Sequence, residues 1–299
     1  MLPKNLVWES AMTILIADAM REGAATLNDA GLAEARREAS GLLEHVLARD
    51  RTFVLSHPEH PLTEAELKTF RELMLRRASG EPLQYITSHQ SFFGLDFEVA
   101  KGVLIPRPET ELLVEIALEL LQEASTPLIC DVGTGSGCIV IALLHTRPDT
   151  QAVAIDISTA ALEIAKRNAQ HHNVDSRLTF VQGDCFSSLS ADMFSFDLIA
   201  SNPPYVSEKE LAGLQREVRD HEPIEALAGG GDGLDVVRRL LAESSSFLKS
   251  GGHLLIEIGF SQGDALRALI DQSVWRLQDI RPDLQGIPRI VVLQKLLAD

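Results

Sequence analysis

An apolar run, Phe196-Asp197-Leu198-Ile199-Ala200, ends in Ser201-Asn202-Pro203-Pro204-Tyr205. Short, continuous and closed by a breaker, the run reads as a buried strand. Two prolines without backbone N–H groups stop it there. The turn that follows offers an amide side chain, carbonyl acceptors with no competing donor, and one aromatic ring. Asn-Pro by itself is an ordinary strand-to-loop turn. Whether this one carries chemistry depends on what else reaches the same edge, because open α/β sheets bind ligands at the carboxyl ends of their strands.

Three other strand ends supply candidates. Asp131-Val132-Gly133-Thr134-Gly135-Ser136-Gly137 closes one strand and opens a helix. Glycines there let the backbone approach a ligand and leave the helix N-terminus open. A dinucleotide fingerprint would need glycine at 138 or 140, where Cys138 and Val140 stand, and the Gly-Lys-Ser/Thr of a P-loop is missing. The G-x-G-x-G spacing is instead the one familiar from S-adenosylmethionine (SAM) binding. Asp156 ends the next strand, where an acid can accept both hydroxyls of a ribose. Gly183-Asp184-Cys185 follows a third strand, where a carboxylate and a backbone N–H could read the amino group and a ring nitrogen of adenine.

The elements that would hold these residues alternate regularly. Strands are expected at Leu128–Val132, Ala152–Ile155, Leu178–Val181, Phe196–Ala200, His253–Ile258 and near 275–281 and 289–294. Helices are expected from Gly137, from Ser158 to about His171, near 208–219 and 234–248, and from Gln262. Strands separated by helices of this length predict a seven-stranded, mostly parallel, doubly wound sheet, and the last two strands, close together, predict an antiparallel edge, giving an α/β Rossmann-like domain over 106–299. Residues 1–85 read as a small helical domain for recognition. Leu32, Ala35, Ala39, Leu42, Leu43, Val46 and Leu47 recur at helical spacing, and Thr63 with Glu66 forms a capping-box pattern. Between the two, residues 86–105 read as a β-hairpin linker, with Phe92, Phe93 and Phe97 as packing. Pro106-Arg107-Pro108-Glu109-Thr110 then opens a helix, which accounts for Glu109 without chemistry.

Composition excludes several classes. The formal net charge is −16, from 43 acidic against 27 basic residues, a poor balance for undirected nucleic-acid binding, which depends on neutralising phosphates. Cys130, Cys138 and Cys185 form no CxxC pair and fit a reducing compartment. His57 and His60 flank prolines in a loop and read as solvated side chains, and no metal site is expected. No signal-peptide pattern or long apolar run is present. The expectation is a soluble, cytoplasmic monomer without a membrane partner.

The glycine loop, Asp156, Gly183-Asp184 and Asn202-Pro203-Pro204-Tyr205 together resemble a class I SAM-dependent methyltransferase acting on a planar amino nitrogen. Phe92-Phe93-Gly94-x-x-Phe97, Ile105-Pro106-Arg107-Pro108-Glu109-Thr110 and Glu222-Pro223-x-x-Ala226-Leu227 before Gly229-Gly230-Gly231-Asp232-Gly233 narrow the likeness. Over nearly the whole chain it is similar to the release-factor glutamine methyltransferase family (PrmC/HemK). That resemblance implies methylation of the glutamine side-chain amide in the Gly-Gly-Gln motif of peptide chain release factors, with SAM as co-substrate and no direct nucleic-acid partner. It implies a SAM site lined by Gly133, Thr134, Gly135, Ser136, Gly137, Asp156, Asp184, Cys185 and Asn202. Asn202, Pro203 and Tyr205 would be catalytic, and these with Pro204 would hold the substrate. Arg107 and Glu109 match a family motif near the pocket. The main alternative is a nucleic-acid amino-methyltransferase using the same tetrad on adenine or guanine. A nicotinamide oxidoreductase and a non-catalytic scaffold are further ones.

Overall fold

A computed structural model describes residues 13–297, so the first twelve residues of the expected helical stretch lie outside it. The chain divides into two units at Thr87. In the first, α1 (Ile16–Asp29), α2 (Ala35–Leu47), α3 (Arg51–Ser56), α4 (Glu64–Ala78) and α5 (Leu83–Thr87) surround one core. Leu27, Leu42, Leu43 and Phe70 are fully buried there, each contributing roughly 1.5–3 kcal/mol by leaving water. Gly23 lets the helices approach: a Cβ on it would meet Phe70 Cζ at 2.8 Å and Ala39 Cβ at 3.1 Å. The capping box at α4 is reciprocal. The Glu66 N–H donates to Thr63 Oγ1 at 3.2 Å, and the Thr63 N–H to the Glu66 carboxylate at 2.7 Å. His57 stacks on Phe53 and His60 meets the same ring edge-on.

The second unit opens with the hairpin β1 (His89–Phe92) and β2 (Leu95–Glu98). Both turn residues, Phe93 and Gly94, have positive φ, as a two-residue hairpin of primed type requires. Phe92 and Phe97 pack edge to face inside this unit's core. The remaining elements are α6 (Glu111–Leu120), β3 (Leu128–Val132), α7 (Cys138–Thr146), β4 (Gln151–Asp156), α8 (Thr159–His171), β5 (Leu178–Gln182), β6 (Phe196–Ser201), α9 (Glu208–Leu211), α10 (Arg216–His221), α11 (Asp235–Glu243), β7 (Leu248–Glu257), α12 (Gly263–Leu269), β8 (Trp275–Pro282) and β9 (Pro288–Lys295).

Among the described residues, seven strands form one sheet in the order β5-β4-β3-β6-β7-β9-β8; the β7–β9 and β9–β8 pairs are antiparallel and the rest parallel. Successive residues alternate between two cores. Ala152 and Ala154 face the side covered by α6 and α7, while Val153 and Ile155 face the side covered by α11 and α12. The chain builds outward from β3 to β5 and then returns to β6 on the other side of β3. Strand order therefore reverses between β3 and β6, and the crevice at their carboxyl ends is the topological switch point.

Three expected boundaries moved, the first being β7, which starts at Leu248 rather than His253. The helix expected over 208–219 is two short helices, interrupted at Gly213. The helix expected to reach 248 ends at Glu243, where the Ser244 hydroxyl bonds back to the Leu240 carbonyl and a 3-10 turn runs to Phe247. No helix among the described residues is long and apolar enough to cross a membrane.

Candidate active site

The glycine loop is a cradle fixed from below. The N–H groups of Gly133 and Thr134 both donate to the Ile155 carbonyl, at 2.9 and 3.0 Å, which ties the loop to the end of β4. Gly133, Gly135 and Gly137 all have positive φ, a region that side chains disfavour. Their reasons differ. A Cβ on Gly133 or Gly135 would meet nothing within 4 Å, so those two face open space, whereas one on Gly137 would strike Ile141 Cδ1 at 2.8 Å and Ala165 Cβ at 3.2 Å. Gly137→Ala is expected to cost about 1–3 kcal/mol of stability, from strain and crowding together. Urea denaturation measures it, and an unchanged midpoint and slope would refute the close packing of α7 on α8.

Asp156, at the end of β4, accepts from the Gly135 N–H at 2.8 Å with one carboxylate oxygen and from the Ser158 N–H at 2.9 Å with the other. It thus braces the loop it sits beside. Asp131, near the end of β3, is buried. It accepts from the Thr134 hydroxyl at 2.7 Å through Oδ2, and its Oδ1 has no hydrogen-bond partner.

On the opposite lip of the crevice, Ser201 donates to the Val132 carbonyl at 2.7 Å and locks the end of β6 to β3. The next residue, half-buried Asn202, donates through Nδ2 to Thr110 Oγ1 at 3.1 Å. Thr110 in turn donates to Glu257, the last residue of β7, at 2.7 Å. Among the described residues, neither Asn202 Oδ1 nor the buried Pro203 carbonyl accepts a hydrogen bond. The Tyr205 carbonyl accepts from Gln262 Nε2 at 2.9 Å, and the same amide reaches the Gly233 carbonyl at 3.1 Å. The glycine run 229–233 packs against this turn: a Cβ on Gly229 would lie 2.6 Å from the Pro204 carbonyl oxygen. Val206 and Ala228 form a parallel bridge, so the segment carrying α9 and α10 leaves and returns at one place.

The structure thus brings the glycine loop, Asp156 and the Asn-Pro-Pro-Tyr turn to one crevice. Two of the other expected residues are engaged elsewhere. The Asp184 carboxylate pairs with Arg239 of α11 at 2.7 Å. Cys185, at positive φ, buries its thiol in the core beneath that helix, so its side chain is committed to packing.

Comparison with known proteins agrees in both units. Residues 18–87 match the family model described as PrmC N-terminal domain, and residues 109–220 match that described as Methyltransferase small domain. The release factor glutamine methyltransferase of Nitratidesulfovibrio vulgaris is 43% identical over 264 residues, covering 88% of this chain and 89% of that protein. That of Koribacter versatilis is 43% identical over 260 residues, covering 87% and 91%. The chain belongs to the release factor glutamine methyltransferase family. Its fold is shared with a methyltransferase from Pyrococcus furiosus at a TM-score of 0.50 and 16% identity, over 76% of this chain and 98% of that one.

Family membership gives the remaining motif residues a place. In this glutamine methyltransferase, Arg107 donates to Glu222 at 2.6 Å and the Ile105 N–H reaches the same carboxylate at 3.3 Å. Arg107 is therefore a staple joining the Arg-Pro-Glu-Thr turn to the Glu222-Pro223 stretch. Glu109 adds negative charge near Glu257 and Tyr205. Sequence reasoning passed over Thr110 and Glu257, although an acid inside the apolar strand Leu254–Ile258 was a visible signal.

Two buried acids stand out electrostatically. Burial pushes Asp131 up to about 7, helped by the Asp156 charge and opposed by the Thr134 bond. Burial likewise pushes Glu257 up to about 7; the Thr110 bond, Arg289 and a bond with Tyr205 oppose it, and Glu109 adds to it. Burial also raises all three thiols, Cys138 to about 12 and Cys185 to about 11, which keeps them protonated and unreactive. For an acid raised on folding, the native state binds the extra proton, so its contribution to stability is present below the ordinary carboxylate pKa. That contribution is lost as pH rises through about 7. Glu257→Gln is accordingly expected to melt higher than wild type at pH ~8 by about 1–3 kcal/mol, with the gap closing toward pH ~5. Thermal melts at both values check this, and a pH-independent gap would contradict it.

Proposed function

We propose that this methyltransferase uses SAM to methylate the side-chain amide nitrogen of the glutamine in the Gly-Gly-Gln motif of peptide chain release factors. The observation that carries the reading is a pair of uncommitted acceptors, Asn202 Oδ1 and the Pro203 carbonyl, at the switch-point crevice beside the glycine loop. The open faces of Gly133 and Gly135 suit a polar co-substrate. SAM, when bound, supplies a methyl group on a sulfonium. Gly133, Thr134, Gly135, Ser136 and Gly137 would cradle it, Asp156 would take its ribose hydroxyls, and the backbone at Asp184 and Cys185 would meet its adenine.

An amide nitrogen is a poor nucleophile because its lone pair is delocalised into the carbonyl. Asn202 and Pro203 would answer this by geometry, each accepting one hydrogen of the substrate NH2 so that the nitrogen faces the methyl group. Acceptors aimed at those hydrogens also stabilise positive charge as it develops on nitrogen. Orientation of two bound reactants contributes up to ~7–11 kcal/mol, so no strong base is needed before transfer, and the proton leaves to water. Pro204 and Tyr205 would wall the slot for the planar group.

Incubating the protein with methyl-labelled SAM and purified release factor, a Gln→Ala release factor, DNA or ribosomal RNA tests the reading. Label is expected in the unmodified release factor alone. Equal labelling of the Gln→Ala protein, or labelling of nucleic acid instead, would overturn it.

A further inference from the structure

Thr110 and Glu257 are assigned to neither reactant, yet both are buried beside the side chain on which the proposed transfer turns, at 2% and 1% exposure. We propose that they are positioning residues, a hydroxyl relay that fixes which end of the Asn202 amide faces the substrate. The inference rests on the role proposed above for Asn202.

A carboxylate has only acceptor sites, and a threonine hydroxyl has a single hydrogen. That hydrogen goes to Glu257 Oε2 at 2.7 Å. Thr110 Oγ1 is then left with lone pairs alone, and it is met by the amino end of Asn202 at 3.1 Å. Turning the amide over would set Oδ1 against Oγ1, two acceptors with no hydrogen between them. It would also aim the Asn202 amino hydrogens at a substrate amino group, donor against donor. The relay removes both outcomes and leaves Oδ1 as the acceptor. Burial of both residues prevents water from replacing either bond and restoring the freedom to flip. An acid kept out of water is destabilising, and threonine needs no acid in order to pack. Glu257 also meets the Tyr205 side chain, and setting the direction of the Thr110 bond is a second purpose for the same buried acid. The relay therefore selects substrates presenting two N–H groups over those presenting an acceptor.

The test compares Thr110→Val, Thr110→Ser and Glu257→Gln with wild type in release-factor methylation. The assay is run at a pH of about 8.5, above the titration of Glu257. Thr110→Val keeps the side-chain shape and loses the hydroxyl. Its kcat is expected to fall about 10- to 100-fold, while SAM affinity by calorimetry and KM for the release factor stay within about threefold. Thr110→Ser should recover kcat to within about threefold of wild type. Glu257→Gln, whose amide can accept or donate, should fall between them. A Thr110→Val enzyme within about twofold of wild type overturns the relay, as does Thr110→Ser impaired as badly as Thr110→Val. If Thr110→Val does not fold, Glu257→Gln decides, with Tyr205→Phe as the control for its second partner: a Glu257→Gln kcat that is unchanged, or lowered no further than that of Tyr205→Phe, overturns the relay, and a larger loss with unchanged SAM affinity supports it. A wild-type protein that leaves the release factor unmethylated overturns the underlying reading and the relay with it.

Discussion

Asn202→Ala is expected to lower methyl transfer at saturating substrates by about 10²–10³-fold, the size seen when one preorganised electrostatic partner of a transition state is removed. SAM affinity should change by no more than about threefold, because the glycine loop and Asp156 hold their places through Ile155 and Ser158 rather than through Asn202. On the proposed scheme the substitution would remove an acceptor that strengthens as the substrate nitrogen becomes positive, and would free the nitrogen to turn away from the methyl group. Single-turnover labelling with a calorimetric SAM titration separates the two quantities. Near-normal transfer would defeat the positioning scheme.

Asp156→Ala is expected to show the opposite division. Its carboxylate braces Gly135 and Ser158 and would also meet the ribose, and hydrogen bonds to charged groups are each worth about 1.5–3 kcal/mol. Losing them should raise the SAM dissociation constant about 100-fold, with kcat recovering toward wild type once SAM is saturating, as removal of uniform binding predicts. Asp156→Asn keeps one acceptor but turns an amino group toward one of the two N–H groups, so it should fall between. Calorimetry reads all three. Unchanged affinity in the alanine variant would remove Asp156 from the cofactor side of the site.

What the sequence made legible was contiguous. The glycine loop, Asp156 and the Asn-Pro-Pro-Tyr turn each announce themselves within a few residues of a strand end, and strand and helix alternation brings strand ends to one edge. The sheet followed from the same alternation, and its antiparallel edge from the short connection between the last two strands. What remained hidden depends on pairings across long separations. Thr110 and Glu257 lie 147 residues apart, and Asn202 and Thr110 lie 92 apart. Arg107 and Glu222 are separated by 115 residues, so a local reading could mark the arginine but not what it holds. The carboxylate of Asp184 reads as available to a cofactor because its arginine comes from a helix 55 residues later. The early end of α11 shows a local effect overlooked: the first of three consecutive serines bonds back to its own helix and closes it.

The bridge between Val206 and Ala228 has a consequence for how such an enzyme can change. Everything between those residues departs from and returns to a single point, and Glu222 is pinned independently by Arg107. The Asn-Pro-Pro-Tyr turn is anchored by Ser201, Thr110 and Gln262, none of which lies inside that excursion. Lengthening a surface loop costs little, each doubling adding only about 0.6 kcal/mol. The stretch holding α9 and α10 is therefore a cassette. It could be exchanged or extended, by drift or by grafting, while the Asn-Pro-Pro-Tyr turn stays where it is.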